Sequence, residues 1–129
     1  MRIAGCDAPE LRQKDGARVA RAVRALLIQE EVALERQRID RYGRVAAWVT
    51  MTDGRDVAEV IVAGGWAWAE PRYAREPLEM MQKEGRARAA GLGIWKDGIP
   101  EPPWTWRRRF RKSERWGRRS NHARLRRKC

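Results

Sequence analysis

Charge divides this chain into two unequal parts. Residues 104–129 contain 12 of the 29 Lys and Arg residues but only one of the 17 Asp and Glu residues, so the preceding part is nearly balanced. Such a basic segment lacks the apolar stripe that would offset its ordering entropy. Pro100, Pro102 and Pro103 stand at its start. We therefore predict a folded domain over residues 1–99 and a Pro-bounded, Arg- and Trp-rich tail over residues 100–129 that is disordered or only locally helical.

Size and net charge restrict the class of protein and its partners. With 129 residues, 43% of them hydrophobic, the chain can bury one core but not two. The formal net charge of +12 indicates a polyanionic partner, either nucleic acid or an acidic membrane surface, with an acidic protein as a weaker third option. No run approaches the roughly 18 to 20 apolar residues that cross a bilayer, and no signal-type segment follows Met1. We predict no transmembrane segment, and no export signal is visible.

The cysteine and histidine content excludes several kinds of site. Cys6 and Cys129 lie at opposite ends of the chain without a CxxC pair, and His122 is the only histidine. A zinc finger, a disulfide scaffold and a Ser-His-Asp or Cys-His mechanism are therefore disfavoured. Cys6 is predicted to be a small core residue and Cys129 a free terminal thiol. Any chemistry must use carboxylates and arginines, with or without a metal ion.

The hydrophobic periodicity changes several times, which is typical of a small mixed domain. A helix is predicted from Asp15 to Gln29, with Asp15 as its N-cap, and a hairpin follows with strands over residues 32–37 and 44–51. Asp56 and Glu59 begin a short second helix, and residues 66–69 form a brief strand. Pro77 opens a third helix whose apolar positions are Leu78, Met81 and Ala89. Trp66, Trp68 and Trp95 are expected in the core rather than as a base-stacking platform, whereas Trp104 and Trp106 could cap the core or stack on nucleotides.

Two carboxylates and two arginines stand out as candidates for chemistry: Arg2, Asp7, Glu10 and Arg44. Phosphodiester hydrolysis uses carboxylate oxygens for a hard cation, a base for water, and guanidinium groups for the phosphate charge. On spacing alone, ordinary surface salt bridges explain such a set better. Strand alternation places Arg2 and Asp7 on opposite faces, so a shared site requires a turn, which we predict near Ala8-Pro9.

Several motifs occur in an order that resembles a known family. They are Arg2-Ile-Ala-Gly-Cys-Asp7-Ala-Pro-Glu10, Asp40-Arg-Tyr-Gly-Arg44, Gly65-Trp-Ala-Trp and Gly-Ile-Trp95. Together they resemble the staphylococcal nuclease-like (thermonuclease) family over about residues 2–96, and the following Pro-Pro-Trp-Thr-Trp-Arg run is similar to an ending seen in bacterial members. The resemblance implies an α+β fold, an OB-type five-stranded barrel with three helices. It also implies a calcium-dependent phosphodiesterase that acts on DNA and RNA and leaves 3′-phosphate ends.

The resemblance also assigns roles to individual residues. Arg2 and Arg44 match the arginines that bind the scissile phosphate, and Asp7 matches a calcium ligand. Ala8 stands where a backbone carbonyl reaches the metal, and Glu10 matches the glutamate that takes the proton of the attacking water and reaches the metal through water. The remaining contacts that the resemblance implies are a terminal phosphate at Arg41 and Tyr42 and a base at Tyr73, for which packing is an equal alternative. The charge of the tail favours nucleic-acid contacts at Arg107, Arg108, Arg109 and Arg111; anionic lipid headgroups, or a solvated tail without a dedicated role, are the alternatives.

The chain departs from the family pattern at its start. Members have two strands and an acidic turn, which supplies another calcium ligand, before the position that Arg2 matches, whereas here Met1 stands within that region. We therefore expect that Met1 is an internal position of a longer product or that the chain is a fragment, with weaker calcium binding and lower stability. A monomer is expected, and bacterial members are often exported. The alternative function is a non-catalytic OB-type module that binds nucleic acid or protein; the four retained site residues favour the enzyme.

Overall fold

A computed structural model describes residues 2–39 and 43–127, with side chains as far as residue 117. Five short or medium strands alternate with helices in this part of the chain. The elements are β1 (Arg2–Ile3), β2 (Cys6–Asp7), α1 (Gly16–Leu27), β3 (Val32–Ile39), β4 (Val45–Met51), α2 (Val57–Ala63), β5 (Trp68–Ala69), α3 (Pro77–Ala90) and α4 (Pro103–Arg127), with 3-10 turns at Pro71–Tyr73 and Gly93–Trp95.

The strands form two small sheets. In the first, β4 lies between β1, which is parallel to it, and β3, which is antiparallel; in the second, β2 pairs with β5 antiparallel. The predicted α+β class is confirmed, but a closed five-stranded barrel is not present among the described residues, and there are four helices rather than three. Closure fails because β1, β2 and β5 have only two residues each and cannot form a continuous ladder between the sheets.

A turn between β1 and β2 decides which side chains share a face. The prediction of a turn near Ala8-Pro9 is wrong, because the chain reverses at Ala4 and Gly5, where Gly5 has φ of +103°. The Ala4 backbone N–H donates to the Ala47 carbonyl (2.8 Å), and the Gly5 carbonyl accepts from the Glu70 N–H (2.9 Å). The turn therefore separates β1 from β2, so alternation along one strand no longer decides where Arg2 and Asp7 point.

The first three helices lie where the sequence predicts them, with two differences in detail. Asp15 precedes α1, but its side chain makes no capping hydrogen bond; it lies 3.3 Å from Arg18. The apolar residues that the sequence shows in α3, Leu78, Met81 and Ala89, are exposed. The buried residues of α3 are instead Met80 and Ala87, which lie two turns apart on one face of the helix.

Two clusters of buried side chains form the core. One joins β4 to α2 and α3 through residues such as Val49, Ile61 and Met80. The other surrounds Trp68 and Trp95, whose rings meet edge to face with centroids 5.1 Å apart. The predictions that Trp68, Trp95 and Cys6 belong to the core are confirmed, and Trp66 is partly buried against both clusters. Burial raises the pKa of the Cys6 thiol to about 12, so this cysteine is an inert core residue.

The basic tail is helical rather than disordered over residues 103–127. Arg and Lys are good helix formers, and Pro103 begins the helix, where its missing N–H costs no hydrogen bond. Contacts with the domain fix the first turns, because Pro103 is buried and the Trp104 ring lies edge to face on Trp68, with centroids 6.0 Å apart. The division near residue 100 stays a prediction, and Cys129 lies outside the described residues. Within the described ranges, no helix combines the length and apolar character that crossing a membrane requires.

Candidate active site

The four residues that the sequence analysis chose as candidates for phosphodiester chemistry all line one open groove. Arg2, Asp7, Glu10 and Arg44 are all on its wall, and the groove has a volume of about 1430 Å³. Its lining comes from the strands β1 to β5, the Pro71–Tyr73 turn and the first turns of α4. The sheet register explains part of this arrangement, because Arg2 pairs with Ala46, two residues after Arg44.

Arg2 lies between the carboxylates of Asp7 and Glu70, and we refer to these three side chains as the floor of the groove. Its Nη2 is 3.7 Å from Asp7 Oδ2 and 3.5 Å from Glu70 Oε2. Burial raises the pKa of Glu70 above its usual value, and the positive charge of Arg2 opposes that shift in part. Sequence reasoning missed Glu70. Its only signal is its position directly after the brief strand that pairs with β2.

Arg107 of α4 holds the two carboxylates that the sequence assigned to the metal site. Its Nη2 lies 2.8 Å from Asp7 Oδ2, and its Nη1 lies 3.3 Å from Asp7 Oδ1 and 2.6 Å from Glu10 Oε1. Burial alone would lower the pKa of Arg107, but the hydrogen bonds that it donates to Asp7 and Glu10 raise this pKa above the ordinary arginine value. The guanidinium is therefore a fixed positive charge between these carboxylates.

Gln13 positions the loop that carries Glu10. Its side-chain Oε1 accepts from the Glu10 backbone N–H (3.1 Å), while its own backbone N–H donates to the Glu10 carbonyl (2.9 Å). The buried Gln13 amide also donates to the Glu101 carbonyl just before α4. Sequence reasoning missed this residue, because a single glutamine in a loop carries no motif; the contact joins residues 88 positions apart.

The residues present do not fit a bound metal ion in this arrangement. Asp7 and Glu10 supply the oxygen donors that hard cations prefer, and Ala8 lies between them in the chain. However, both oxygens of Asp7 and one of Glu10 are hydrogen-bonded to Arg107. Among the residues with described side chains, no group of three or more His, Cys, Asp or Glu residues is placed to hold a metal. The carboxylates could take a cation only after Arg107 has left them.

The predicted substrate contacts are only partly in the described region. Tyr73 lines the groove, with the Arg38 guanidinium 4.4 Å from its ring centre, whereas Arg41 and Tyr42 lie outside the described residues. Arg108 and Arg111 of the tail also line the groove, as do Trp106 and Phe110, whose rings are stacked with centroids 4.9 Å apart. Arg109 does not line it and instead pairs with Glu101 at 2.9 Å.

A groove that combines paired carboxylates with many arginines and aromatic rings is the kind of site found in proteins that act on phosphate esters. The comparison of sequences gives the family. Residues 1–97 match the family profile described as staphylococcal nuclease homologue, and the chain belongs to this family. The predicted resemblance is thereby confirmed.

Relatives from several bacteria are similar over most of this chain. An Escherichia coli protein named as an uncharacterized endonuclease is 36% identical over 110 residues, which cover 84% of this chain and 71% of that protein. A Shigella flexneri protein named micrococcal nuclease is 34% identical over 118 residues, covering 84% and 67%. A Haemophilus influenzae protein, also named as an uncharacterized endonuclease, is 35% identical over 108 residues, covering 84% and 60%.

Proposed function

We propose that this chain is an endonuclease that hydrolyses phosphodiester bonds of DNA or RNA and leaves 3′-phosphate ends. The observation that carries the proposal is the convergence of Arg2, Asp7, Glu10 and Arg44 on one groove, in a chain that belongs to the staphylococcal nuclease family. The names of the relatives, endonuclease and micrococcal nuclease, support the same phosphodiester hydrolase activity.

The proposed reaction divides its work among these four side chains. Glu10 accepts a proton from water, whose oxygen forms a bond to phosphorus while the bond from phosphorus to the 5′ oxygen breaks. Arg2 and Arg44 bind the phosphate oxygens, where negative charge increases in the transition state. Asp7 lies beside Arg2 at the floor of the groove and orients its guanidinium. The leaving 5′ oxygen takes a proton from solvent.

Calcium is the proposed cofactor, with Asp7, the Ala8 carbonyl and, through water, Glu10 as its ligands. These groups have the oxygen chemistry that calcium prefers. The proposal requires a state in which Arg107 has released the carboxylates.

The proposed substrate is a flexible polyanion that follows the groove. Arg108 and Arg111 are lining residues from α4, and Tyr73 lines the same groove with Arg38 against its ring. We propose that Arg108 and Arg111 contact phosphates and that Tyr73 borders a base. Arg41 and Tyr42 are proposed to contact a terminal phosphate. A monomer can supply all of these residues.

The test is cleavage of heat-denatured DNA by the purified protein, with calcium or with a chelator. Glu10→Gln keeps the shape of the side chain but removes the base, so cleavage should fall by a factor of about 10² to 10⁴. Glu79→Gln is the matched control, because Glu79 is an exposed glutamate on α3 and does not line the groove. Undiminished cleavage by the Glu10→Gln protein would contradict the proposed role of Glu10.

A second candidate function is a non-catalytic module that binds nucleic acid or protein. The observation that favours it is the contact of Arg107 with both Asp7 and Glu10, which leaves these carboxylates paired in the structure. Under this alternative, the folded protein binds single-stranded DNA in the presence of calcium but does not cleave it. The same cleavage assay, combined with a binding measurement on the same preparation, separates the two functions.

A further inference from the structure

The guanidinium of Arg107 stands where a cation bound by Asp7 and Glu10 would have to lie. It takes both oxygens of Asp7 and one oxygen of Glu10, at distances of 2.6 to 3.3 Å. From this geometry we propose that Arg107 is an internal cation of the site and competes with a divalent cation for the two carboxylates. The inference rests on the proposed function, since it concerns the same residues, and it adds a regulatory role for α4.

Arg107 and a divalent cation compete for these carboxylates through charge and through shared oxygens. Calcium binds oxygen ligands at about 2.3 to 2.6 Å and needs six to eight of them, so it has to use the carboxylate oxygens that accept hydrogen bonds from Arg107. A guanidinium and a divalent cation on the same carboxylates also repel each other in a partly buried place. Binding of one therefore weakens binding of the other.

The contact of Arg107 differs from the ion pairs on the surface of α4. The Arg107 side chain is 28% exposed and its partner Asp7 is 11% exposed, whereas Arg109 is 68% exposed in its pair with Glu101. Exposed pairs contribute little, while a partly buried fork on two carboxylates is held by geometry as well as charge. The contact of Trp104 with Trp68 fixes the preceding turn of α4 and so aims Arg107 at the carboxylates.

The Arg107 side chain can also adopt a position away from the two carboxylates. It lines the groove together with Arg108 and Arg111, and Glu10 is 35% exposed, so the guanidinium can move toward solvent or toward a bound phosphate without unfolding α4. Release of the carboxylates then requires a side-chain movement of Arg107 and no change in the backbone of α4.

The experiment is a calorimetric titration of the whole protein with calcium chloride, comparing wild type with Arg107→Gln. Removing the internal cation should increase the affinity for calcium by a factor of about 5 to 150, the usual range for two coupled ligands. Arg109→Gln is the control, because it removes the same charge from the same helix without touching Asp7 or Glu10. Its calcium affinity should stay close to that of wild type.

Two further variants test whether the gain in calcium affinity depends on Asp7 and provide a second test if Arg107→Gln does not fold. The double variant Asp7→Asn, Arg107→Gln should lose the gain in affinity, because the gain depends on the carboxylate. Arg107→Lys keeps a charge at this position, but a single ammonium cannot fork onto both carboxylates, so its calcium affinity should be intermediate. It provides the test if Arg107→Gln does not fold.

The competition is refuted if Arg107→Gln binds calcium no more tightly than wild type, or if Arg109→Gln gains as much. Absence of calcium binding by folded Arg107→Gln refutes it as well. The proposed nuclease activity is tested separately by cleavage with Glu10→Gln. If cleavage depends on Glu10 but Arg107→Gln does not bind calcium more tightly, the nuclease proposal stands and the competition is refuted. If Arg107→Gln binds calcium more tightly but the protein does not cleave DNA, only the nuclease proposal is refuted.

Discussion

Gly5 is the residue whose conformation sets the geometry of the site floor. With φ at +103°, it reverses the chain between β1 and β2 so that Arg2 comes within 3.7 Å of Asp7. A Cβ atom at this position would lie 3.2 Å from the Ala74 Cα and 3.4 Å from the Met80 Cε. A side chain here is therefore disfavoured both by the backbone conformation and by the packing of the core.

Gly5→Ala should lower both stability and cleavage, and Gly54→Ala is its matched control. Gly54 also has a positive φ, +89°, but a Cβ atom there would have no neighbour within 4 Å, so this variant reports the backbone strain alone. We expect each variant to lose about 1 to 3 kcal/mol of unfolding free energy from strain, with Gly5→Ala the less stable of the two. Urea unfolding measures this difference, and equal losses would show that packing around Gly5 contributes nothing.

Sequence reasoning identified some residues of the groove and missed others for a physical reason. Arg2, Asp7, Glu10 and Arg44 belong to motifs, and the structure brings them to one groove. Glu70 and Gln13 were missed, because each acts through contacts that depend on the folded chain rather than on a local pattern. The roles of the motif residues stay predictions that the variants above test.

Among the elements, α2 shows a local signal that the structure confirms. Asp56 precedes the helix, and its side chain accepts a hydrogen bond from the Ala58 N–H (2.9 Å). Asp56→Ala removes this cap and should cost about 1 kcal/mol of unfolding free energy. Chemical denaturation near neutral pH measures the loss, and Asp53→Ala, at an exposed aspartate in the preceding turn, is the comparison. A loss no larger than that of Asp53→Ala would contradict the capping role.

The same aspartate should also make stability depend on pH. Burial raises the pKa of Asp56 above its ordinary value of 3.8, although the hydrogen bond from Ala58 opposes the shift. Between the two pKa values the folded state binds more protons than the unfolded state, so the contribution of Asp56 falls as pH rises through this window and is constant above it. Asp56→Asn lacks this dependence. Its stability relative to wild type should therefore improve from about pH 3 to pH 7, and a constant difference would contradict the raised pKa.

The helices α3 and α4 show where local patterns are insufficient. Few apolar residues occur in α3, so its periodicity does not identify the buried face. Packing against α2 buries Met80 and leaves Leu78 and Met81 exposed. For α4, the basic composition predicted a disordered or only locally helical segment, whereas Trp104 and Arg107 anchor the helix through contacts with residues far away in the sequence. Neither outcome follows from periodicity, since both depend on tertiary contacts.

At the scale of the whole molecule, the excess positive charge is concentrated in α4, which contributes lining residues to the groove. If Arg108 and Arg111 contact phosphates of a single strand, replacing both with Gln should reduce the slope of log affinity against log salt by about 1.4. Arg109→Gln should leave the slope nearly unchanged, because Arg109 faces Glu101 outside the groove. Fluorescence anisotropy with a labelled oligonucleotide at several salt concentrations measures the slopes. Equal slopes for wild type and the double variant would exclude these two contacts.

The contact of Arg107 has a consequence for how such proteins are shortened or recombined. The family match ends at residue 97, ten positions before the side chain that neutralises Asp7 and Glu10. A version trimmed to the family boundary would leave two neighbouring negative charges to repel each other and would uncover the Trp68 ring. Under the proposed competition, removing or exchanging this segment would change how tightly Asp7 and Glu10 hold a divalent cation, while every residue within the family match stays the same.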